Sequence, residues 1–260
     1  MYEEKKPGMT KPVEKSSEVW YNMTINAQGL SYQELNHQVR AAGDCTITGC
    51  MGQRFIASGM KDKAITIQGV PGNALGAYLN GAEITVLGNA QDAVGDTMNA
   101  GKIVVHGSIG DAAGYAMRGG VILVRDNAGY RAGIHMKEYQ DKQPKMIIGG
   151  RTGSFLGEYQ AGGVILVLGL HTDGKPIVGN FPCTGMHGGK MYLRGACDDV
   201  TFPERVQIRP ASQEEKTEIS AYVAEYCRSF GGDPQAIMDA PFTTVTPDSK
   251  NPYKQMYVTN

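Results

Sequence analysis

Three consecutive stretches of this chain, Val70 to Gly88 (VPGNALGAYLNGAEITVLG), Asn89 to Gly107 (NAQDAVGDTMNAGKIVVHG) and Ser108 to Asp126 (SIGDAAGYAMRGGVILVRD), are each 19 residues long and align without a gap. A fourth copy opens at Asn127, is interrupted by an insertion at Lys137 to Pro144, and closes with Lys145 to Gly150 (KMIIGG). The fifth, Arg151 to Gly169, returns to 19 residues, and a sixth ends at Lys190 to Gly195 after a larger insertion at His171 to Pro182. Cys45 to Gly49 and Ala64 to Gly69 read as earlier, more divergent copies. A unit this short cannot close a core of its own. Its apolar face must be buried against the copies before and after it, which makes the chain a solenoid.

Glycine marks the bends. The third position carries Gly72, Gly110, Gly129 and Gly153; the seventh carries Gly76, Gly95, Gly114, Gly133 and Gly157; the twelfth carries Gly81, Gly119 and Gly162, with Ala100 in the remaining copy. All are expected to be corners, because glycine accepts positive φ or a crowded backbone approach without a Cβ penalty. Between corners, Ile84, Ile103, Ile122 and Ile165 are followed two residues later by Val86, Val105, Val124 and Val167. That period of two places them on one face of short strands, stacked as an interior column. Leu79, Met98, Met117 and Met136 at the tenth position add a second apolar column, read as a second strand of each coil and as core. A propeller blade needs four strands in about 40 residues, whereas one apolar pattern per 19 residues fits one flat coil. The expected fold class is all-β: a single-stranded right-handed parallel β-helix with flanking helices at both ends, its coils about 4.8 Å apart.

The open ends of such a stack need covers. Ser31 and Glu34 form a capping box opening a short helix that reaches about Ala42 and is closed by Gly43. Ser212 and Glu215 open a second helix, whose Ile219, Tyr222, Val223, Tyr226, Cys227 and Phe230 make one apolar stripe before Gly231 and Gly232 end it. It is expected along the solenoid or its last coil. The chain thus divides into a disordered arm (residues 1–18), the β-helix (19–210), and a C-terminal helix with an extended tail (211–260) that packs on its own domain or reaches a partner.

A formal net charge of -1 with 20% charged residues gives no phosphate-binding surface, so nucleic acid is not an expected partner. No apolar run approaches the roughly 20 residues of a membrane span, and the N-terminal Glu3, Glu4, Lys5, Lys6 and Pro7 form no signal core, so a soluble cytoplasmic protein is expected. Cys45, Cys50, Cys183, Cys197 and Cys227 include no CxxC pair and are read as reduced, packed thiols. The stretch Gly185 to Lys190 has the wrong spacing for a phosphate loop, and His37, His106, His135, His171 and His187 show no metal-binding spacing. Asp92, Asp111, Asp198 and Asp199 sit where turn-forming aspartates belong. Tyr78, Tyr115, Tyr130 and Tyr159 do not align in one column, which weighs against a carbohydrate platform. A solenoid does bring remote residues together, so His135 and His187 are candidates to meet a partner's active site, and the two insertions are candidate subunit contacts.

The repeats GNALGAYLNGAEITVLGNAQDAVGDTMNAGKIVVHG, GYAMRGGVILVRDNAGYRAGIHMKEY, GSFLGEYQAGGVILVLGL and TGMHGGKMYLRG resemble the GXGXG domain at the C-terminus of the glutamate synthase large subunit. The likeness runs from about Thr24 to Gly195 and continues more weakly through the terminal helix and PFTTVTP. Related domains occur as separate subunits of N-methylglutamate synthase and formylmethanofuran dehydrogenase. The resemblance implies a β-helix without catalytic, cofactor-binding or metal residues of its own, buttressing the ammonia path between a glutaminase domain and an FMN and iron–sulfur synthase domain. This chain carries neither an amidotransferase nucleophile at its N-terminus nor a flavin-binding barrel. It is therefore expected to be a separate subunit, inactive alone, whose partners are a glutamine amidotransferase chain and a synthase chain holding the FMN and iron–sulfur cluster. His135, Lys137, Glu138, Tyr139, His171 and His187 are the expected partner contacts. A β-helix enzyme or glycan-binding module is the alternative from another class.

Overall fold

Branched aliphatics at matching places in successive copies pair like with like. Ile84 lies beside Ile103 and Ile103 beside Ile122, while Val86, Val105 and Val124 form a second row, all fully buried. Such side chains suit a pleated surface packed against neighbours, and stacking them every coil fills the interior without voids. The computed structural model describes residues 23–248, so the expected disordered arm lies outside the described residues. Nine strands run parallel in chain order: β1 (Met23–Asn26), β2 (Cys45–Met51), β3 (Ala64–Val70), β4 (Asn80–Val86), β5 (Ala100–Val105), β6 (Val121–Val124), β7 (Lys145–Ile148), β8 (Ala161–Val167) and β9 (Gly188–Arg194). They form one sheet of a β-solenoid of about 8 turns.

Among the described residues the second strand expected in each coil is absent. Leu79, Met98, Met117 and Met136 are fully buried, but they end turn-rich arms at residues 73–79, 92–98, 111–117 and 130–136. Outside the sheet, the arms of the described residues are joined by a row of single parallel bridges, Ala90 to Ile109 to Ala128 to Thr152. Each arm has the left-handed backbone at its fifth, seventh and ninth positions, for example Ala93, Gly95 and Thr97 at φ +57°, +69° and +52°. That conformation cannot form a regular strand.

Arm hydrogen bonds reveal the full repeat. Ala93 N and Thr97 N donate to Asp111 O and Tyr115 O of the next coil at 2.8 and 2.7 Å, and Gly95 N donates to Leu75 O of the previous coil at 2.8 Å. The same pattern links arms at residues 54–60, 154–160 and 180–186. Met51 to Gly69 is therefore a complete 19-residue coil, as is Ile177 to Gly195. This corrects the larger insertion: it is Leu170 to Pro176, and Ile177 to Pro182 belong to a regular coil that carries Cys183, at φ +60°, in the seventh place.

The glycine columns serve different ends. Seventh-position glycines are left-handed and face the interior; a Cβ on Gly95 would meet Ile122 Cδ1 at 2.6 Å and one on Gly76 would meet Ile103 Cδ1 at 2.7 Å. Third-position Gly72, Gly110, Gly129 and Gly153 do not have positive φ; they meet the other half of the expectation, a crowded approach. They are small because the preceding coil's backbone or aspartate oxygen, Asp92 Oδ1 at Gly110 and Asp111 Oδ1 at Gly129, occupies the place of a Cβ. At the twelfth column the left-handed corner stays at Gly81 but moves one residue on, to Gly120 and Gly163, past Gly119 and Gly162.

Both ends are covered. Helix α1 (Tyr32–Ala41) opens with the Ser31–Glu34 capping box and buries Leu35 and Val39 against the first coils. It ends in extended backbone at Ala42 without using Gly43; Lys63 Nζ reaches Val39 O at 2.9 Å, a cation on the last carbonyls. At the other end β11 (Phe242–Pro247) runs antiparallel beside β9, and β10 (Val206–Pro210) lies outside it. That places part of the expected tail inside the sheet, with Cys197, Val200, Phe202 and Val206 packed against the interior. Helix α2 (Gln213–Phe230), followed by the short α3 (Pro234–Met238), covers the outer sheet face: Ile219, Tyr222, Val223, Tyr226 and Cys227 pack on Leu123, Ile147, Val164, Leu166 and Tyr192. Burial on both faces explains why Val164 to Leu168 reads as an unbroken apolar run.

Glu215 fastens α2 to the closing strands. Its carboxylate takes both Arg209 guanidinium nitrogens at 2.7 and 2.8 Å, Ser212 N at 2.9 Å and Thr244 Oγ1 at 3.0 Å. The Arg209 bonds foremost outweigh burial and hold the carboxyl down at about 2.

Two outcomes are expected. Gly95→Ala should destabilise by about 2 kcal/mol or more through overlap with Ile122, and Ile122→Val, which removes the overlapping Cδ1, should restore part of the loss; denaturant melts of the two single variants and the double variant check the coupling. Because Glu215 has a depressed pKa, its contribution is present above the ordinary carboxyl value of 4.5 and is lost as pH falls through that value towards about 2. Glu215→Gln should cost on the order of 2 kcal/mol at neutral pH, and the gap to wild type should close between pH 4.5 and about 2 in acid melts.

Candidate functional site

Three places gather polar side chains. The first lies under α2, where Glu218 accepts from Tyr192 OH and Tyr222 OH at 2.7 Å each and from Lys190 Nζ at 3.0 Å. Burial pushes the Glu218 carboxyl up, but these three bonds outweigh it and leave it below the usual range. Both phenols are raised, by burial first and then by the adjacent carboxylate. A base held below its ordinary pKa, with its lone pairs occupied, is poorly set to take a proton from substrate. With Lys102 Nζ on Glu225 Oε1 at 2.9 Å and Tyr226 OH on Arg125 O at 2.9 Å, the cluster is a row of ties holding α2 across the sheet.

The second is a groove on the arm side. Its upper part, about 310 Å³, is lined by Tyr115, Arg118, His135, Lys137, Tyr159 and His187; it continues into a hollow of about 520 Å³ along Glu138, Gln143 and the glycine corners 162–163 and 188–189, floored by Lys190. The geometry follows from the arms: His135 and Tyr159 hold the ninth position of successive coils, both left-handed, at φ +55° and +53°. Their rings stack at 5.1 Å and 12°, and Tyr115 meets His135 edge-on at 5.9 Å. Arg118 reaches the His135 carbonyl at 3.3 Å. Glu138 accepts from Gly163 N at 3.0 Å and Gln143 Nε2 at 3.2 Å, so its charge is turned into the corner. His187 Nδ1 lies 3.0 Å from Gly185 O. Alongside, Tyr130, Phe155 and Phe181 form a second aromatic row with centroid spacings of 5.3 and 5.2 Å, and Arg131 stacks over its first two rings.

Four of the six expected contact residues, His135, Lys137, Glu138 and His187, thus share one groove. Tyr139 is exposed at the base of a tight hairpin that it closes with Lys142. His171 belongs to a third place, a hollow of about 500 Å³ beside Arg125, Arg194, Tyr226 and Phe230 at the end of α2. Sequence reading passed over Tyr115, Arg118 and Tyr159 as groove residues. Its test was a single column of tyrosines, whereas the rings come from neighbouring eighth and ninth positions and interleave with a histidine.

Asp92 and Asp111 serve as ties: Asp92 Oδ1 accepts Asp111 N at 2.9 Å and Asp111 Oδ1 accepts Tyr130 N at 2.8 Å, each joining one coil to the next. The five cysteines are unpaired thiols; burial pushes Cys50 up to about 11 and Cys183 up to about 12. Among the described residues no three His, Cys, Asp or Glu side chains converge as a metal ion would need, and no helix is long and apolar enough to cross a membrane.

A family model described as GXGXG motif matches residues 22–248. An uncharacterized protein of Methanocaldococcus jannaschii is 40% identical over 250 residues, covering 90% of this chain and 96% of that relative.

Proposed function

The chain belongs to the GXGXG motif family, and on that premise we propose that it is a non-catalytic docking subunit of a glutamate-synthase-type assembly. In this reading it holds a glutamine amidotransferase chain and an FMN and iron–sulfur synthase chain in register for glutamine-dependent, reductive glutamate formation in the cytoplasm. The observation that carries the reading is where the chain spends its polar chemistry. Inward columns are apolar in the regular coils except at Gln160, a buried amide that takes the tenth place of its coil and donates to Gly162 O and Gly163 O, and Asp92, Asp111, Glu215 and Glu218 are each occupied by bonds that tie coil to coil or helix to sheet. A scaffold needs such rigidity, whereas a catalytic acid or base needs a free lone pair or proton within reach of substrate.

Equivalent roles in N-methylglutamate synthase or formylmethanofuran dehydrogenase use the same module with different partner chains. A glycan-binding module is the second reading, favoured by the Tyr115, His135 and Tyr159 rings on the surface; retention on a carbohydrate array, unaffected by salt, would select it.

Purified alone, the chain should show no flavin absorbance and no glutamate synthase turnover; stoichiometric FMN or turnover in isolation overturns the proposal. Co-purification from the native host, with the partner chains identified by mass spectrometry, should yield one amidotransferase chain and one flavin and iron–sulfur chain.

A further inference from the structure

We propose that the arm side of the solenoid, centred on Tyr115, His135 and Tyr159 and rimmed by Arg118 and Lys137, is the surface that binds an acidic region of a separate partner protein. The proposal rests on the docking reading and specifies which face does the docking.

The first argument is where aromatic side chains are left in the open. Phe55, Tyr78, Tyr115, Tyr130, Tyr159 and Phe181 are all exposed on arms, and the exposed Tyr139 sits on the hairpin beside them. The outer sheet face, by contrast, is covered by α2 within the chain itself. Isolated exposed apolar residues need no explanation, but a patch of tyrosines and arginines on one side has the composition of an interface centre. These rings are also held in place before any partner arrives, by mutual stacking and by an arm backbone bonded on both sides, so little side-chain freedom is lost on binding.

Charge selects the occupant. Among the described residues neither Arg118 nor Lys137 has a carboxylate partner. Of the charged residues lining the groove, Arg118, Lys137 and Lys190 are positive and Glu138 alone is negative; Glu138 is bonded to Gly163 N and Gln143, and Lys190 is paired with Glu218 at 3.0 Å. The groove therefore carries surplus positive charge beside two histidines, and the complement is acidic. Nor do the chain's own terminal segments supply it. Residues 1–22 carry Glu3, Glu4, Glu14 and Glu18 against Lys5, Lys6, Lys11 and Lys15, and residues 249–260 carry Lys250 and Lys254 with no acid. Neither of these segments is a net acidic complement, so a separate polypeptide is the occupant proposed.

The test uses the full chain with the separately encoded amidotransferase-type and synthase-type chains of the same organism, titrated singly. At least one should bind, more weakly as salt is added. The double variant Arg118→Glu, Lys137→Glu and the single variant Tyr115→Ala should each raise that Kd about tenfold or more, while Lys216→Glu on the exposed side of α2 leaves it unchanged; matching thermal melts establish that each variant folds. If wild type binds and the groove variants bind equally well, this face is wrong and the docking reading stands. If wild type binds neither chain, the docking reading falls and this proposal with it. Should the groove variants instead abolish self-association of the chain, or should deleting residues 1–22 tighten partner binding, the occupant is a second copy or the chain's own segment, and the proposal is overturned.

Discussion

Everything in this molecule depends on amide groups that bond across coils rather than along the chain. In the sheet this is ordinary parallel pairing. In the arms it is achieved by setting alternate residues in the left-handed region, so that successive N–H groups point to the coil above and the coil below. A non-glycine residue placed there costs roughly 1–2 kcal/mol, and fourteen of the eighteen such residues in the described chain lie in the arms. The strain persists because an unpaired buried amide would cost about as much, roughly 1–3 kcal/mol. Relieving one residue's φ would strand its N–H and a carbonyl in the next coil.

From β2 to β9 the sheet half of each coil was legible from residue order, since alternate branched aliphatics repeated at a fixed interval leave one arrangement that buries them all; β1, Met23–Asn26, has no copy of that pattern and was not. Both capping boxes and the stripe on α2 were equally plain. The arms were not. Their Leu and Met column shows only that the tenth position is buried, and burial does not distinguish a strand from a chain of left-handed turns. Glycine at the seventh position hinted at positive φ, but Ala93, Thr97 and His135 share that conformation and carry no composition signal. For the same reason the coils at 51–69 and 177–195 were read only in part: Ala57 and Cys183 stand where the other copies have glycine.

The groove was half legible. His135, Lys137, Glu138 and His187 stood out because they flank insertions or corners, yet their convergence depends on how far each arm is rotated against the next. The tyrosines escaped notice because side chains at neighbouring columns interleave across coils, a relation that a column-by-column alignment hides. Asp92 and Asp111, chemically the more suggestive residues, proved to be backbone acceptors, which also explains why the glycine after the next corner has no room for a side chain.

The order of the last three strands has a consequence for how the protein is made. β11 lies between β9 and β10, although β10 precedes it in the chain. On the ribosome, which releases the N-terminal side first, the stack can grow coil by coil up to β9 and then must wait. Its terminal edge stays open, with β10 unable to join, until residues 242–247 emerge to act as the clasp. A message truncated shortly before that point would yield a nearly complete solenoid with an unguarded edge, a species primed to associate with its own kind.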